Sequence, residues 1–283
     1  MDQRERMLAG LPYRPGRDGL LELYMACRRK LFRFNSLPPD AEDERDALLR
    51  AILGKCGRAL RIEGPFYCDY GFNIEVGERF FANYHLTVLD VAPVRIGANV
   101  LCAPNVAIYT AGHPLHPASR NSGYEYGAPV TIGDNVWLGG NVVVNPGVTV
   151  GDNVVIGSGS VVTRDIAANT LAAGNPCRPL RAITEADRDL YFRDRRFDVG
   201  TIWNRIGCSG SMPATPGTPP RTGRRNARED RHAAALVFQP GFSYPRPGAD
   251  PGARAGGAAR RGGSAGAGRD ALGRRGGRTP AGA

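Results

Sequence analysis

Aliphatic residues recur every six positions through the middle of the chain: Ile132, Leu138, Val144, Val150, Ile156 and Val162 follow one another without a break. A small residue often comes next, as at Gly133, Gly139, Gly151 and Gly157, and another small or apolar residue stands four places on, from Val136 to Ile166. Ile96, Cys102 and Ile108 keep the same step earlier, with Val100 and Val106 at their i+4 positions. A helix repeats at 3.6 residues and an ordinary strand at 2, so neither produces a six. A parallel β-helix does. Each hexapeptide supplies a short strand and a turn, the aliphatic points inward, and three hexapeptides close one coil of a triangular prism with coils about 4.8 Å apart. Runs such as Gly133-Asp134-Asn135 suit the corners, because Gly, Asp and Asn tolerate left-handed backbone angles.

One stretch breaks the rhythm. Thr110 to Pro129 is polar, rich in Gly and Pro, and has no six-fold aliphatic, which predicts a loop (110–129) extruded from one corner. Upstream, Leu20–Phe34 and Ala41–Leu53 carry helical apolar spacing, the second with Glu42, Asp43 and Glu44 in its first turn. Downstream, Thr184–Phe197 is charged and amphipathic and is expected to be a third helix. The expected organisation is a helical cap over 1–57, a β-helix over 58–181, a helical segment over 182–207 and a tail over 208–283.

Composition changes this picture at one place. The 283 residues carry a formal net charge of +10, which by itself would raise nucleic-acid or membrane-surface binding. From Cys208 onward, however, there are 13 Arg against four acids, so nine of the ten excess charges lie in the tail. With 16 Gly and 9 Pro among its 76 residues, that tail predicts disorder, and its aromatics stand apart from its Arg runs, which makes nucleic-acid binding an unfavoured reading. No run of about 18 apolar residues is present, excluding an apolar membrane-spanning helix, and Met1–Gly10 lacks a signal-like apolar stretch, so a cytoplasmic location is expected. The six cysteines have no CxxC spacing and no histidine at ligand spacing from a pair, so no metal is expected.

Specific phrases then narrow the fold. Met7–Gly10, Phe32–Asn35, Cys68–Ile74, Phe81–Asn83, Leu89–Pro93, Ala103–Val106, Tyr109–Pro114, Val130–Trp137 and Ala173–Pro176 together resemble the hexapeptide-repeat sugar O-acetyltransferases of the maltose, galactoside and nodulation-factor type, in register over about residues 5–197. The resemblance implies a left-handed coil, acetyl-CoA as co-substrate, a sugar acceptor and a homotrimer with its site between two prisms. It implies His113 as general base, a role suited to an imidazole of ordinary pKa about 6.5. His116, three residues on, is read as solvated and His232 lies in the tail.

By the same resemblance Asp69 and Asn83 would contact the acceptor, with Asp90 helping to shape the site; Asn and Asp are also common at corners for backbone reasons. Asp18 stands displaced from the family's acceptor-binding aspartate and serves equally as a helix cap. Phe81 replaces a tyrosine found in some relatives. Gly140, Ser158, Thr163 and Arg164 match positions along the coenzyme groove. Arg178 and Arg181 match the place where nucleotide phosphates are held, for which a guanidinium fork is apt. Trp137 flanks the pantetheine arm or packs between subunits. The alternative acceptors are an antibiotic or serine hydroxyl, and the alternative role for the tail is an anionic-surface or nucleic-acid-binding arm.

Overall fold

The computed structural model describes residues 1–197; the tail from 208 and the end of the 182–207 segment lie outside the described residues. Short parallel strands stack into three faces of a prism. The first face holds Lys55–Cys56, Ile74–Val76, Val94–Ile96, Val130–Ile132 and Thr149–Val150. The second holds Arg61–Ile62, Phe81–Ala82, Leu101–Cys102, Trp137–Leu138, Val155–Ile156 and Thr170–Ala173. Tyr67–Cys68, Thr87–Leu89, Ala107–Tyr109, Val143–Val144 and Val161–Val162 form the third. The chain visits the faces in turn, which makes a parallel β-helix of about six coils.

The period of six is the core. Ile132, Leu138, Val144, Val150, Ile156 and Val162 are all buried to 1% exposure or less, and their i+4 partners from Val136 to Val154 fill the remaining interior. Each fully buried aliphatic of this kind contributes about 1.5–3 kcal/mol before entropy is counted. The first coil begins at Lys55, inside the segment expected to be the cap.

The corners divide their labour between residue types. Between the first and second faces, Asn99, Asn135, Asn153 and Asn169 take left-handed angles of φ 56° or 57°. Their amides form a ladder, Asn99 to Asn135 at 2.9 Å, Asn135 to Asn153 at 2.9 Å and Asn153 to Asn169 at 2.8 Å. Gly97, Gly133 and Gly151, two places before the first three of these, are not left-handed, contrary to the sequence expectation; they are there because coils pass too closely for a Cβ.

Helices close one end. Helix α1 (Gln3–Leu8) is capped by Asp2 and Glu5. Helices α2 (Leu20–Ser36) and α3 (Glu42–Ile52) turn Cys27, Leu31, Phe34, Leu49 and Ile52 onto the coil interior, so the first coil has no open apolar edge. The side chain of Asn35 clamps both backbone groups of Phe66 at 2.9 Å.

The other end corrects the sequence reading. Thr184–Phe197 is not a helix but a short turn of 3-10 helix (Glu185–Asp187) followed by an antiparallel pair, Leu190–Phe192 with Arg195–Arg196. Asp187 accepts from the Thr184 amide at 3.0 Å and binds Arg181 through both oxygens at 2.8 Å, which fixes a turn. Arg193 at φ 54° then reverses the chain. Before it, Arg178–Ala182 folds back antiparallel on Thr170–Ala173, covering the last coil's edge. No helix among the described residues is long and apolar enough to cross a membrane.

Candidate functional site

Three departures from the repeat fall at one corner. Paired core positions are 20 residues apart between the early coils (Val76 and Ile96), 36 apart across the loop (Ile96 and Ile132), and 18 thereafter (Ile132 and Val150). The extra residues all sit where the third face turns into the first: around Asp69–Asn73, around Asp90–Pro93, and in the extruded segment. That segment is a hairpin rather than a plain loop. Ala111–Gly112 pairs with Tyr126–Gly127, and its tip carries the one-turn helix α4 (Pro117–Arg120). Thr110, fully buried, fixes the base by donating to Leu89 O at 2.6 Å and accepting from Ala92 N at 2.9 Å.

Asp90 organises this corner from within. It is wholly buried; Oδ1 accepts from the amides of Asp69 and Tyr70, each at 2.9 Å, and its carbonyl accepts from Asn73 Nδ2 at 2.7 Å. The resemblance places Asp90 among acceptor-binding residues; with its oxygens spent on buried amides, it shapes the turn that presents Asp69. Burial pushes the Asp90 carboxyl up to about 7, against the pull of its amide bonds. Burial, and then the charge of Glu125, push Asp69 up to about 6, while Arg28 opposes.

These shifts carry a sign. Both aspartates ionise near 3.8 when unfolded and near 6 and 7 when folded, so between those values the folded chain holds more protons. Their contribution to stability is therefore complete below about 4 and is lost as pH rises through about 7. Thermal melts from pH 4.5 to 8 should show this fall, and Asp90→Asn, which cannot ionise, should flatten it. An unchanged slope in the variant would contradict the assignment.

His113 stands at the mouth of the hairpin, with its side chain 58% exposed. Its Nε2 lies 3.9 Å from Glu125 Oε2, and the other oxygen of Glu125 accepts from the Tyr13 hydroxyl at 2.6 Å. His116, by contrast, caps α4 through its Nδ1. Beside Asp69 a cleft of about 350 Å³ opens between α2 and the third face, lined by Tyr24, Arg28, Phe32, Tyr67 and Leu89 among others. Cys27 of α2 and Cys68 meet here, sulfur to sulfur at 3.6 Å. Mutual hydrogen bonding and burial raise the Cys68 thiol well above its ordinary range, which keeps it protonated and unreactive.

The remaining expected residues separate into groups. Asn83, Gly140 and Ser158 share the corner between the second and third faces, Gly140 and Ser158 on adjacent coils and Asn83 two coils before Gly140. Asn83 is 9% exposed and its Oδ1 accepts from Tyr84 N at 2.7 Å; the Gly140 carbonyl accepts from Gly159 N at 2.8 Å. Trp137, half-buried, faces outward on the second face between Leu101 and Val155. Thr163 and Arg164 are exposed beyond the last third-face strand. Arg178 and Arg181 lie on the closing strand, with Arg181 held by Asp187. Asp18 is exposed, takes φ 52°, and accepts from Gln3 N at 3.0 Å, so it ties α1 to the start of α2. Among the described residues no hydrogen bond or ion pair joins it to His113 or Asp69.

Sequence reasoning passes over Tyr13, Glu125, Arg28 and Ser160. Ser160, fully buried, accepts from the Gly174 amide at 3.0 Å and so fixes the turn before Arg178. The acid inside an extruded polar segment is a usable signal for Glu125; nothing local marks Tyr13.

Residues 6–57 match the maltose acetyltransferase hexapeptide capping motif, and residues 129–164 match the bacterial transferase hexapeptide (six repeats). The galactoside O-acetyltransferase of Escherichia coli (strain K12) is 43% identical over 198 residues, covering 70% of this chain and 98% of that protein. The chain belongs to the hexapeptide-repeat sugar O-acetyltransferase family. Among solved structures, a maltose O-acetyltransferase from Clostridium difficile 630 is 50% identical to this acetyltransferase, with a TM-score of 0.65 over 65% of this chain and 98% of that one. A galactoside acetyltransferase in complex with coenzyme A is 43% identical, with a TM-score of 0.68 over 70% and 99% of the two chains.

Proposed function

We propose that the chain transfers the acetyl group of acetyl-CoA to a hydroxyl of a sugar directly, with His113 as general base. The observation that carries this is the placement of an exposed imidazole, backed by a carboxylate at 3.9 Å, on the same corner as Asp69 and its cleft. An alcohol is a poor nucleophile until its proton is taken. His113 takes that proton as the sugar oxygen bonds to the thioester carbonyl carbon. The carbon–sulfur bond then breaks, and the departing coenzyme thiolate recovers the proton from the imidazolium. Asp69 would hold a neighbouring sugar hydroxyl. Aromatic faces of Tyr24 and Tyr67 along the cleft suit the apolar face of a sugar ring.

Acetyl-CoA is proposed to lie along the other corner, where Gly140 and Ser158 stack with Gly139 and Gly159 and leave the backbone open to a thin pantetheine arm. That corner is separated from His113 by the third face, about five residues or roughly 15 Å wide. One prism therefore cannot bring Asn83, Gly140 and Ser158 to His113. A neighbouring prism can, which supports a homotrimer with each site shared between two copies. Arg178 and Arg181 at the far end are proposed to hold the nucleotide phosphates, Arg181 by exchanging Asp187 for phosphate.

The deciding assay measures thiol release from acetyl-CoA against maltose, glucose, a galactoside, serine and a hydroxyl-bearing antibiotic. Sugar-dependent release is the expected result. Release with serine or the antibiotic and none with any sugar would replace the acceptor class.

A further inference from the structure

Glu125 divides its carboxylate between two partners. Oε1 accepts from the Tyr13 hydroxyl at 2.6 Å, and Oε2 faces His113 Nε2 at 3.9 Å. The same two residues are joined through their backbones, Tyr13 N to Glu125 O and Glu125 N to Tyr13 O, both at 3.0 Å. Tyr13 is wholly buried with Met7, Leu20, Tyr70 and Val91, where α1, α2 and the corner of the coil meet. Burial and the hydrogen bond to Glu125 drive its hydroxyl far above the ordinary tyrosine range, so it remains a donor at any working pH. Main chain and side chain of one cap residue thus fix one acid of the hairpin, 112 residues away.

We propose that Glu125 is a positioning residue for His113, and that the helical cap sets the base's orientation through Tyr13. The inference rests on the reading of His113 as general base. At 3.9 Å the contact is longer than a hydrogen bond and acts through charge. A carboxylate there favours the proton on the ring nitrogen facing it, which leaves the opposite lone pair for the acceptor hydroxyl. It also supplies a counter-charge to the imidazolium formed as the proton moves. Tyr13 faces Glu125 from the cap, and Asp69 and Tyr70 face it from the coil; Arg28 of α2 acts on Asp69, and Asp69 in turn on Asp90. A fastening role, with Glu125 merely tying the hairpin to the cap, would change stability and leave kcat alone.

The test uses the full chain with acetyl-CoA and its best sugar. Glu125→Gln keeps the shape and an acceptor for Tyr13 but removes the charge. It is expected to lower kcat by about 10–100-fold, less than loss of the orienting acid in a fully buried triad, because this imidazole is half in water. KM for acetyl-CoA should stay within about twofold, since the coenzyme groove is untouched. In a His113→Ala background the same change should cost nothing more, as expected of a group acting through the imidazole. Tyr13→Phe, which removes one hydroxyl, should lower kcat by about three- to tenfold. The imidazole nitrogen NMR signals of His113 should report one tautomer in the native chain and a mixture in Glu125→Gln. Wild-type kcat in Glu125→Gln, or an undiminished loss in the His113→Ala background, overturns the proposal. If Glu125→Gln melts more than about 10 °C early, Tyr13→Phe decides, and wild-type kcat there overturns it. His113→Ala at full turnover would instead overturn the general-base reading itself.

Discussion

His113→Ala is expected to lower kcat for sugar acetylation by about 10²–10⁴, the usual worth of a positioned general base. The melting temperature should hardly move. The imidazole is 58% exposed at the mouth of the hairpin and fills no cavity, so its removal leaves no void behind. The hairpin does not depend on it either, since Thr110, the Ala111–Gly127 pairing and the Tyr13–Glu125 bridge all lie elsewhere. KM for acetyl-CoA should hold, because the proposed coenzyme corner is on another part of the prism. Thiol-release kinetics with a parallel thermal melt check all three expectations. Near-wild-type turnover in the variant would remove His113 from the chemistry, and a large fall in melting temperature would mean that the loss reflects folding.

The site lies where the repeat fails, and that explains which parts of it can be read in advance. Ile132 to Val162 keep strict sixes because nothing is inserted there, and the interior of those coils is legible residue by residue. Within each early coil the step of six also holds, as in Val76, Ala82 and Val88, but two extra residues at one corner shift the phase before the next coil begins. Those extra residues form the turns that carry Asp69 and Asp90, and the long insertion carries His113 and Glu125. A broken period at a fixed corner is thus a positional signal in its own right. It locates a site on a solenoid without any motif.

Two kinds of information are out of reach of local pattern. Tyr13 and Glu125 meet across 112 residues, and only the folding of the cap onto the hairpin brings them together. Asp69 and Asp90 are both acids at the same corner, yet one faces the cleft and the other is consumed by buried amides, a difference set by burial and not by composition. The segment from Thr184 to Phe197 shows a different failure. Its apolar spacing fits a short helix, but the ion pair of Arg181 with Asp187 and the left-handed Arg193 select a turn and a hairpin. Phosphate-binding roles for Arg178 and Arg181 rest on resemblance alone, and the structure adds a competing partner for the second.

Gly97→Ala should be among the most destabilising single-methyl additions in the molecule, with a loss of about 3 kcal/mol, the upper end for overpacking. For a domain of this size that corresponds to a fall of roughly 6–12 °C in melting temperature. Gly57, Gly77, Gly97, Gly133 and Gly151 stack one per coil at the corner between the first and second faces. A Cβ at Gly97 would lie 2.7 Å from the Gly133 carbonyl carbon and would strike the Asp134 carboxylate. That carboxylate cannot swing away freely, since its Oδ1 accepts from the Ala98 amide at 2.7 Å across the coils. The neighbours that would have to yield are backbone, held on both sides by further coils, and a spacing near about 4.8 Å between strands leaves no slack. Gly123→Ala separates this cause from backbone conformation. Gly123 sits at φ +79° with nothing within 4 Å of the point a methyl would occupy, so alanine there meets strain but no collision. It should cost about 1–2 kcal/mol. Comparable melting temperatures for the two variants would mean that close coil contact is not what the glycine column protects, and that the repeat's small residue is kept for its backbone freedom after all.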